Sequence, residues 1–174
     1  MEDLKILHFP DRVLRQKASK ITRIDKTVRE LAERMLDLMK EASGIGLAAN
    51  QVGKLKRILV IGNLPGILDE PLILINPEIK KSEGWTTQEE GCLSFPGVYA
   101  SVRRRTKIYA VFWNLKEEEM RIEAQGFLAR AIQHELDHLD GVLFSDHLSF
   151  LSRQKLLREY KKIRPFFLTT GKQL

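Results

Sequence analysis

The spacing of apolar residues along this chain of 174 residues predicts three helices. Apolar side chains recur every three or four positions, as on the buried face of a helix, over residues 25–42, 127–140 and 149–163. Asp25 stands where a helix N-cap belongs, and Gly141 follows the second segment where a left-handed C-terminal residue is common. Because Pro165 comes shortly after the third segment, we expect the last helix to end before it.

Shorter apolar runs in the middle of the chain predict strands. These runs cover residues 57–62, 72–75, 107–114 and 119–124, and Asn76-Pro77 follows the second of them. The last two runs are separated only by residues 115–118, so we expect them to form a hairpin. Because the strands fall in the middle and the helices near both ends, the pattern favours an α+β fold.

The composition is that of one ordinary globular unit. Hydrophobic residues make up 43% of the chain and charged residues 30%, which excludes a disordered or collagen-like chain. No apolar run approaches the roughly 20 residues that span a bilayer, and residues 1–5 are too polar for a secretory signal. Cys92 is the only cysteine and cannot form an internal disulfide, so we expect a protein of the reducing cytoplasm without a membrane partner.

The net charge of +6 is concentrated at the C-terminal end. Residues 153–174 contain seven basic side chains and one acidic side chain, whereas the rest of the chain is balanced. Such a segment is usually the solvated face of a helix with a frayed end. The alternative is contact with a polyanion such as ribosomal RNA, which lysine and arginine bind with release of counterions.

The segment His134-Glu135-Leu136-Asp137-His138 carries the strongest chemical signal. Two histidines four positions apart lie on one face of a helix, about one turn apart, where both rings reach one metal ion. Glu135 projects beside them, near enough to a metal-bound water to take its proton. This H-E-x-x-H pattern is typical of hydrolytic metal sites, although a helix with two ordinary histidines and an ion-paired glutamate would also show it.

A catalytic site of this kind needs a third protein ligand and an open position for water. Phe144 stands where the metzincin pattern has its third histidine, so the chain does not fit that class. Glu159 has the spacing of a thermolysin-like ligand, and His147 is a further candidate. Cys92 lies in a predicted loop 42 positions before His134, and its thiolate would be a soft donor that suits zinc or iron(II).

A third short motif occupies residues 44–51 and reads Gly-Ile-Gly-Leu-Ala-Ala-Asn-Gln. Its glycines and alanines give a backbone that a ligand can approach closely. The carboxamide N–H of Gln51 is suited to meet a developing oxyanion. Taken alone the motif is weak, since small-residue turns after helices are common.

Together these motifs resemble those of the peptide deformylase family. That family is known by G-x-G-L-A-A-x-Q, E-G-C-L-S and Q-H-E-x-D-H, which this chain has in that order at residues 44–51, 90–94 and 133–138. Residues near the start and directly after the third motif are similar to the family as well. The resemblance therefore covers nearly the whole chain.

The resemblance implies mostly antiparallel sheets packed around a central metal-binding helix, with an N-terminal and a C-terminal helix. It implies a catalytic domain over residues 1–150, with residues 151–174 as a basic C-terminal helix and tail of the same domain. The implied activity removes the N-formyl group from N-formylmethionine at the start of newly made polypeptides and releases formate. The implied partners are these nascent peptides and, for the basic segment, the ribosome, but not DNA.

The family pattern also implies a role for individual residues. The implied ligands of one divalent ion, natively iron(II) and replaceable by zinc(II) or nickel(II), are Cys92, His134 and His138. Hydroxide at this ion would attack the formyl carbon, with Glu135 as general acid/base. The implied oxyanion donors are Gln51 and the backbone N–H of Leu93.

The peptide would be held by backbone in an extended, strand-like conformation. The implied backbone contacts lie around Ile45, Gly46 and Gly91. The candidates for an apolar methionine pocket are Ile45, Phe127 and Ala131. Arg130 departs from the family pattern, which often has an apolar residue there. If this face helps to line the methionine pocket, we expect the arginine to turn its charged end outward.

Two other classes of function remain open from the residues alone. A zinc endopeptidase would use Glu159 or His147 as its third ligand, and it would cleave an unfolded protein internally. A basic RNA-binding module with a structural metal site is the second alternative. The balanced body of the chain, which lacks an aromatic-rich basic stripe, argues against that module.

Overall fold

The computed structural model of the protein describes residues 4–170, so the end of the predicted basic tail, residues 171–174, lies outside the described residues. Within this range the helices are α1 Lys26–Glu41, α2 Gly126–Leu139 and α3 Phe150–Thr170. The strands are β1 Gly46–Ala48, β2 Ile58–Ile61, β3 Leu72–Glu83, β4 Thr86–Cys92, β5 Phe95–Arg104, β6 Lys107–Trp113 and β7 Glu119–Gln125. The prediction of an α+β fold is confirmed.

The strands form two antiparallel sheets. Five of them pair in the order β1-β2-β3-β6-β7, while β4 and β5 pair with each other as a separate hairpin. The strand predicted at residues 72–75 is longer than expected, because β3 continues through Asn76-Pro77 to Glu83. A register shift absorbs these two residues, and the Asn76 side chain donates to the carbonyl of Ile21 at 2.7 Å and accepts from its N–H at 2.8 Å.

The segment around Cys92, which the sequence predicts as a loop, is the tight end of the β4–β5 hairpin. β4 reads T-T-Q-E-E-G-C and lacks the apolar alternation that marks a strand in a sequence. Its partner β5 supplies the buried side chains, among them Phe95, Val98 and Val102. Cys92 pairs with Phe95 across the turn, so the hairpin holds the cysteine in a defined place.

The five-stranded sheet lies between α1 and α2. Leu59 and Ile61 of β2 pack in the same cluster as the apolar residues of α2, whereas Ile58 and Val60 pack with those of α1. The predicted N-cap of α1 is confirmed, since the Asp25 carboxylate accepts from the third backbone N–H beyond it at 3.0 Å. Burying a large apolar side chain contributes roughly 1.5–3 kcal/mol, so these contacts fix the position of α2 firmly.

α3 packs against β5 through Leu156, Tyr160 and Phe167. The predicted end of this helix before Pro165 is wrong, because α3 continues to Thr170. A proline in the interior of a helix destabilises that helix by roughly 3 kcal/mol. Burial of Phe167, which is 3% exposed and lies beyond the proline, offsets part of that cost.

Asp146 ties the C-terminal helix to the N-terminal part of the chain. Its carboxylate accepts hydrogen bonds from Arg15 and from the N–H of Leu143 at 2.9 Å, and Arg153 of α3 lies 3.2 Å away. Partial burial alone would raise the pKa of Asp146, but these donors hold it below its ordinary value of 3.8. The ionised carboxylate therefore stabilises the folded state at neutral pH.

Replacing Asp146 with Asn is expected to lower the free energy of unfolding by about 1–2 kcal/mol at about pH 7. The folded-state pKa of Asp146 is depressed, so the carboxylate stabilises the fold fully above pH 3.8, the ordinary pKa of aspartate. This stabilisation is lost as the pH falls through the folded-state pKa. Urea unfolding at about pH 3 should therefore show a smaller difference between variant and parent. Asp69→Asn, at an exposed aspartate, is the control; an equal effect of Asp146→Asn at both pH values would contradict the assigned ion pair.

Candidate active site

Three donor side chains from two elements converge beside a surface cleft. α2 presents His134 and His138 with ring centroids 5.1 Å apart, and the β4–β5 hairpin brings Cys92 to them. The Sγ atom of Cys92 lies 3.2 Å from Nε2 of His138, and the ligand atoms of all three residues lie within 4.8 Å of one another. No other group of this kind occurs among residues 4–170.

This arrangement fits a metal ion. One thiolate and two imidazole nitrogens form a donor set that zinc and iron(II) accept. The Oε2 atom of Glu135, on the same helix, is buried and has no hydrogen-bond partner among the protein atoms. A buried carboxylate oxygen without a protein partner could accept a proton from a water molecule held beside a neighbouring ion.

Glu90 of β4 orients one of the two histidines. Its Oε2 atom lies 3.0 Å from Nδ1 of His134, which leaves Nε2 of that ring for a metal. Arg104 of β5 donates to both oxygens of Glu90, from Nε at 2.9 Å and from Nη2 at 3.1 Å. Burial alone would raise the pKa of Glu90, but the hydrogen bonds from His134 and Arg104 hold this pKa well below its usual range. Glu90 is therefore ionised, as the outer partner of a ligating histidine should be.

Glu135 is buried against the backbone of β1. The closeness of this contact is visible at Gly46, where a Cβ atom would lie 2.7 Å from Oε1 of Glu135. Burial raises the pKa of Glu135 to about 7. A carboxyl group with such a pKa exchanges protons readily near neutral pH, which suits general acid/base chemistry.

Gln51 joins the site from the short helical turn after β1. Its Oε1 atom accepts a hydrogen bond from the N–H of Ala48 at 2.9 Å, which settles the direction of its amide. Its Nε2 atom then lies 3.6 Å from Sγ of Cys92 and 3.2 Å from Oγ of Ser94. The motifs at residues 44–51 and 90–94 therefore meet at the cysteine.

A cavity of about 380 Å³ opens beside the donors. β1 and the residues before it form one wall, the β4–β5 hairpin forms another, and α2 closes the inner side. The predicted substrate residues all line this cavity, namely Ile45, Gly46, Gly91, Phe127 and Ala131. Leu93 also lines it, whereas Gln51 is fully buried outside its wall.

The other candidate ligands lie elsewhere. Glu159 is exposed on α3. His147 pairs with the carboxylate of Asp137 at 2.7 Å and is not part of the donor group. The outward orientation expected for Arg130 is wrong, because its guanidinium is buried and donates to Glu90 at 2.6 Å.

Sequence reasoning assigned no role to Glu90 or Arg104. The available signal was an acidic residue two positions before the cysteine. That signal has little force, since β4 is not recognisable as a strand and nothing in the sequence links residue 90 to residue 104. In the hairpin Glu90 is opposite Ala100 and Arg104 is opposite Thr86, so the two side chains meet along the hairpin rather than directly across it.

An α+β fold with a half-buried thiol and two buried imidazoles, a glutamate on the same helix and an adjoining cleft defines a metallohydrolase. The profile of the Polypeptide deformylase family matches residues 3–154. The peptide deformylase of Thermodesulfovibrio yellowstonii is 44% identical over 92% of this chain and 98% of its own. That of Pseudoalteromonas translucida is 45% identical over 95% of this chain and 99% of its own.

Solved structures give the same result. The peptide deformylase of Legionella pneumophila has a TM-score of 0.89 and 38% identity, covering 95% of this chain and 97% of its own. The Synechococcus elongatus enzyme in complex with actinonin has a TM-score of 0.85 and 42% identity, over 91% of this chain and 86% of its own. The chain belongs to the peptide deformylase family.

As a member of this family the protein is a metal-dependent hydrolase that removes the formyl group from nascent peptides. This confirms the activity predicted from the three motifs. Among the helices described, none has the length and apolar character needed to cross a membrane.

Proposed function

We propose that Cys92, His134 and His138 hold the one divalent ion of this deformylase. The observation that carries the proposal is the convergence of their donor atoms within 4.8 Å. The hydrogen bond from His134 to the ionised Glu90 supports it, since ligating histidines usually donate their second N–H to such a partner.

Glu135 is the proposed general acid/base. An ion held by the three ligands would supply Lewis-acid chemistry and make hydroxide available near neutral pH. Glu135 takes one proton of the attacking water at its carboxylate and later gives it to the amine nitrogen. Water thus adds to the formyl carbon, the C–N bond breaks, and formate and a free amino terminus leave. Proton transfer of this kind contributes about 100- to 10,000-fold in rate.

Two N–H groups are proposed to bind the oxyanion that develops on the formyl oxygen. One is Nε2 of Gln51, whose orientation is supported by the hydrogen bond that its Oε1 accepts from Ala48. The other is the backbone N–H of Leu93, which follows the cysteine at the hairpin turn. Each such donor typically contributes about 100- to 1,000-fold in rate.

The peptide is proposed to bind as an added strand. Among the described strands β1 pairs only with β2, and β4 only with β5, so each offers one unpaired edge. Ile45 and Gly46 lie on one side of the cleft and Gly91 on the other. An extended peptide between them would gain main-chain hydrogen bonds that do not depend on its sequence.

The first side chain of the peptide is proposed to enter the part of the cleft formed by Ile45, Phe127 and Ala131. These side chains are apolar and belong to the cavity wall. An apolar pocket discriminates by only about 10- to 200-fold per methylene group. We therefore expect a preference for methionine that is graded rather than absolute.

Iron(II) is the proposed native ion, and the donor set also accepts zinc(II) or nickel(II). To test this, the protein is purified without oxygen, analysed for metal, and assayed for formate release from a formyl-methionyl tripeptide. One equivalent of iron together with formate release is expected, without cleavage inside an unfolded protein chain. Internal cleavage would favour the endopeptidase alternative, and activity without any bound metal would overturn the proposed site.

Replacing Gly46 with Ala is expected to lower the deformylation rate by about 10- to 100-fold, since small misplacements of catalytic groups have effects of this size. The added methyl group would lie 2.7 Å from Oε1 of Glu135, so the carboxylate must move. Bound metal should be unchanged, because the ligands are elsewhere. Gly66→Ala is the control: a Cβ atom there meets nothing within 4 Å, and because φ is +76° the variant should lose roughly 1–2 kcal/mol of stability without a change in the deformylation rate. Full activity of the Gly46 variant would contradict the proposed role of Glu135.

The C-terminal segment is proposed to belong to the same functional unit as the catalytic residues 1–150. Leu156 and Tyr160 of α3 are buried with Phe95 of the hairpin, which supports one unit. The outer face of α3 carries most of the basic residues of segment 151–174, and it exposes Phe150 and Leu151 at 74% and 78%. We propose that this face contacts the ribosome in the cytoplasm, which salt-dependent co-sedimentation with ribosomes tests.

A further inference from the structure

Arg130 of α2 is buried even though it forms part of the cleft wall, with 4% of its surface exposed. Its Nη1 atom donates to Oε1 of Glu90 at 2.6 Å and to the carbonyl oxygen of Val102 at 3.1 Å. Its Nε atom donates to Oε1 of Gln88 at 3.2 Å. One side chain therefore links α2 to both strands of the β4–β5 hairpin.

Arg130 and His134 stand one helical turn apart and bind the same carboxylate. Arg130 contacts Oε1 of Glu90, while Nδ1 of His134 lies 3.0 Å from Oε2. Glu90 is two positions before Cys92 on the hairpin. The two contacts together fix the distance between the element that carries the cysteine and the helix that carries the histidines.

Arg104 does not replace this link. It contacts both oxygens of Glu90 from within the hairpin, and it reaches α2 only through Asp137, on the far side of His134 from Arg130. Without Arg130, Glu90 would keep Arg104 as its partner and stay ionised. Oε1 of Glu90 would then lose its only contact with α2, because the other group that holds this oxygen, Arg104, belongs to the same hairpin.

We propose that Arg130 is a positioning residue for the metal site: it holds Glu90 so that the His134 ring and the Cys92 hairpin keep the geometry that binds the ion. This inference rests on the proposed ligand set. Arg130 acts through Glu90 and is not assigned any contact with the reacting atoms.

The test compares Arg130→Met and Arg130→Lys with the parent protein. Met keeps an unbranched apolar stem but loses the charge and every donated hydrogen bond. Zinc affinity, measured by competition with a chelating indicator, is expected to fall about 10- to 100-fold, the usual effect of losing an outer partner of a ligand. Lys offers one donor group and should recover part of this loss.

Two further measurements separate positioning from pocket lining. In zinc-loaded protein labelled with ¹⁵N, the Nδ1–H resonance of His134 should shift or broaden in the Met variant and return towards its original position in the Lys variant. For the iron enzyme, kcat should fall by about 10- to 100-fold while KM for a formyl-methionyl peptide changes less than about threefold. Arg103→Met, at an exposed arginine that lies over the Trp85 ring, is the matched control and should change none of these values.

Unchanged zinc affinity and an unchanged His134 resonance in a folded Arg130→Met protein would overturn the inference. A rise in KM without a fall in kcat would overturn it too, since that result assigns Arg130 to substrate binding alone. If the Met variant does not fold, zinc affinity of the Lys variant equal to that of the parent overturns it. Failure of the parent protein itself to bind metal through Cys92, His134 and His138 would instead refute the proposed ligand set.

Discussion

A protein with Glu135 replaced by Gln should bind its metal and lose about 100- to 10,000-fold in turnover. Gln has nearly the same shape as Glu, so it can occupy the same space against Gly46, but it cannot take a proton from water. The donor atoms of Cys92, His134 and His138 are unaffected, since they converge without help from residue 135. Metal content should therefore equal that of the parent protein.

Formate release under substrate saturation and metal analysis of the same sample measure this effect. Glu159→Gln is a matched control, because Glu159 is exposed on α3 and takes part in neither the donor group nor the cleft. A Glu135→Gln protein that keeps full turnover would remove Glu135 from the reaction. A variant that lacks metal would show that the residue supports binding of the ion instead.

Replacing Cys92 with Ala should abolish tight metal binding. The sulfur is one of only three protein donors in the group, and it lies 3.2 Å from Nε2 of His138. The loss of affinity should exceed the 10- to 100-fold that is typical when only an outer partner is removed. Activity should fall in parallel, and added metal should restore only part of it.

The measurement is a metal titration of reduced protein, followed by competition with a chelator. Ser101→Ala, an exposed position on β5 of the same hairpin, is the control and should bind metal like the parent protein. Full occupancy with unchanged coordination in the Cys92 variant would remove this residue from the site. The proposal of an iron or zinc deformylase with a thiolate ligand would then be wrong.

The helices could be predicted because their signals are local. Asp25 caps α1, and the spacing of His134 and His138 follows directly from the geometry of α2. The end of α3 could not be predicted, since the burial of Phe167 that offsets part of the cost of Pro165 depends on the hairpin, which is distant in the sequence. β3 passes Asn76-Pro77 for a similar reason, because β2 pairs with it up to Ile75 and β6 pairs with it again from Glu78.

The site was predictable only in part. The spacing of His134 and His138 predicts the helix that carries both. Cys92, however, was one of several possible third ligands until the resemblance to a family singled it out. β4 carries the cysteine on a polar strand whose pattern gives no sign of a hairpin. The inward position of Arg130 depends on Glu90, which comes from a strand 40 positions earlier in the chain. Such long-range pairing of charges has no signature in a single sequence.

The two unpaired strand edges beside the cleft have a consequence for timing. A peptide that binds here as the proposed added strand can do so only while its own first residues are extended and free of other hydrogen bonds. Helices and hairpins form within microseconds once enough chain is present. On this proposal deformylation competes with folding of the substrate, and we expect a chain that buries its amino terminus early to keep its formyl group.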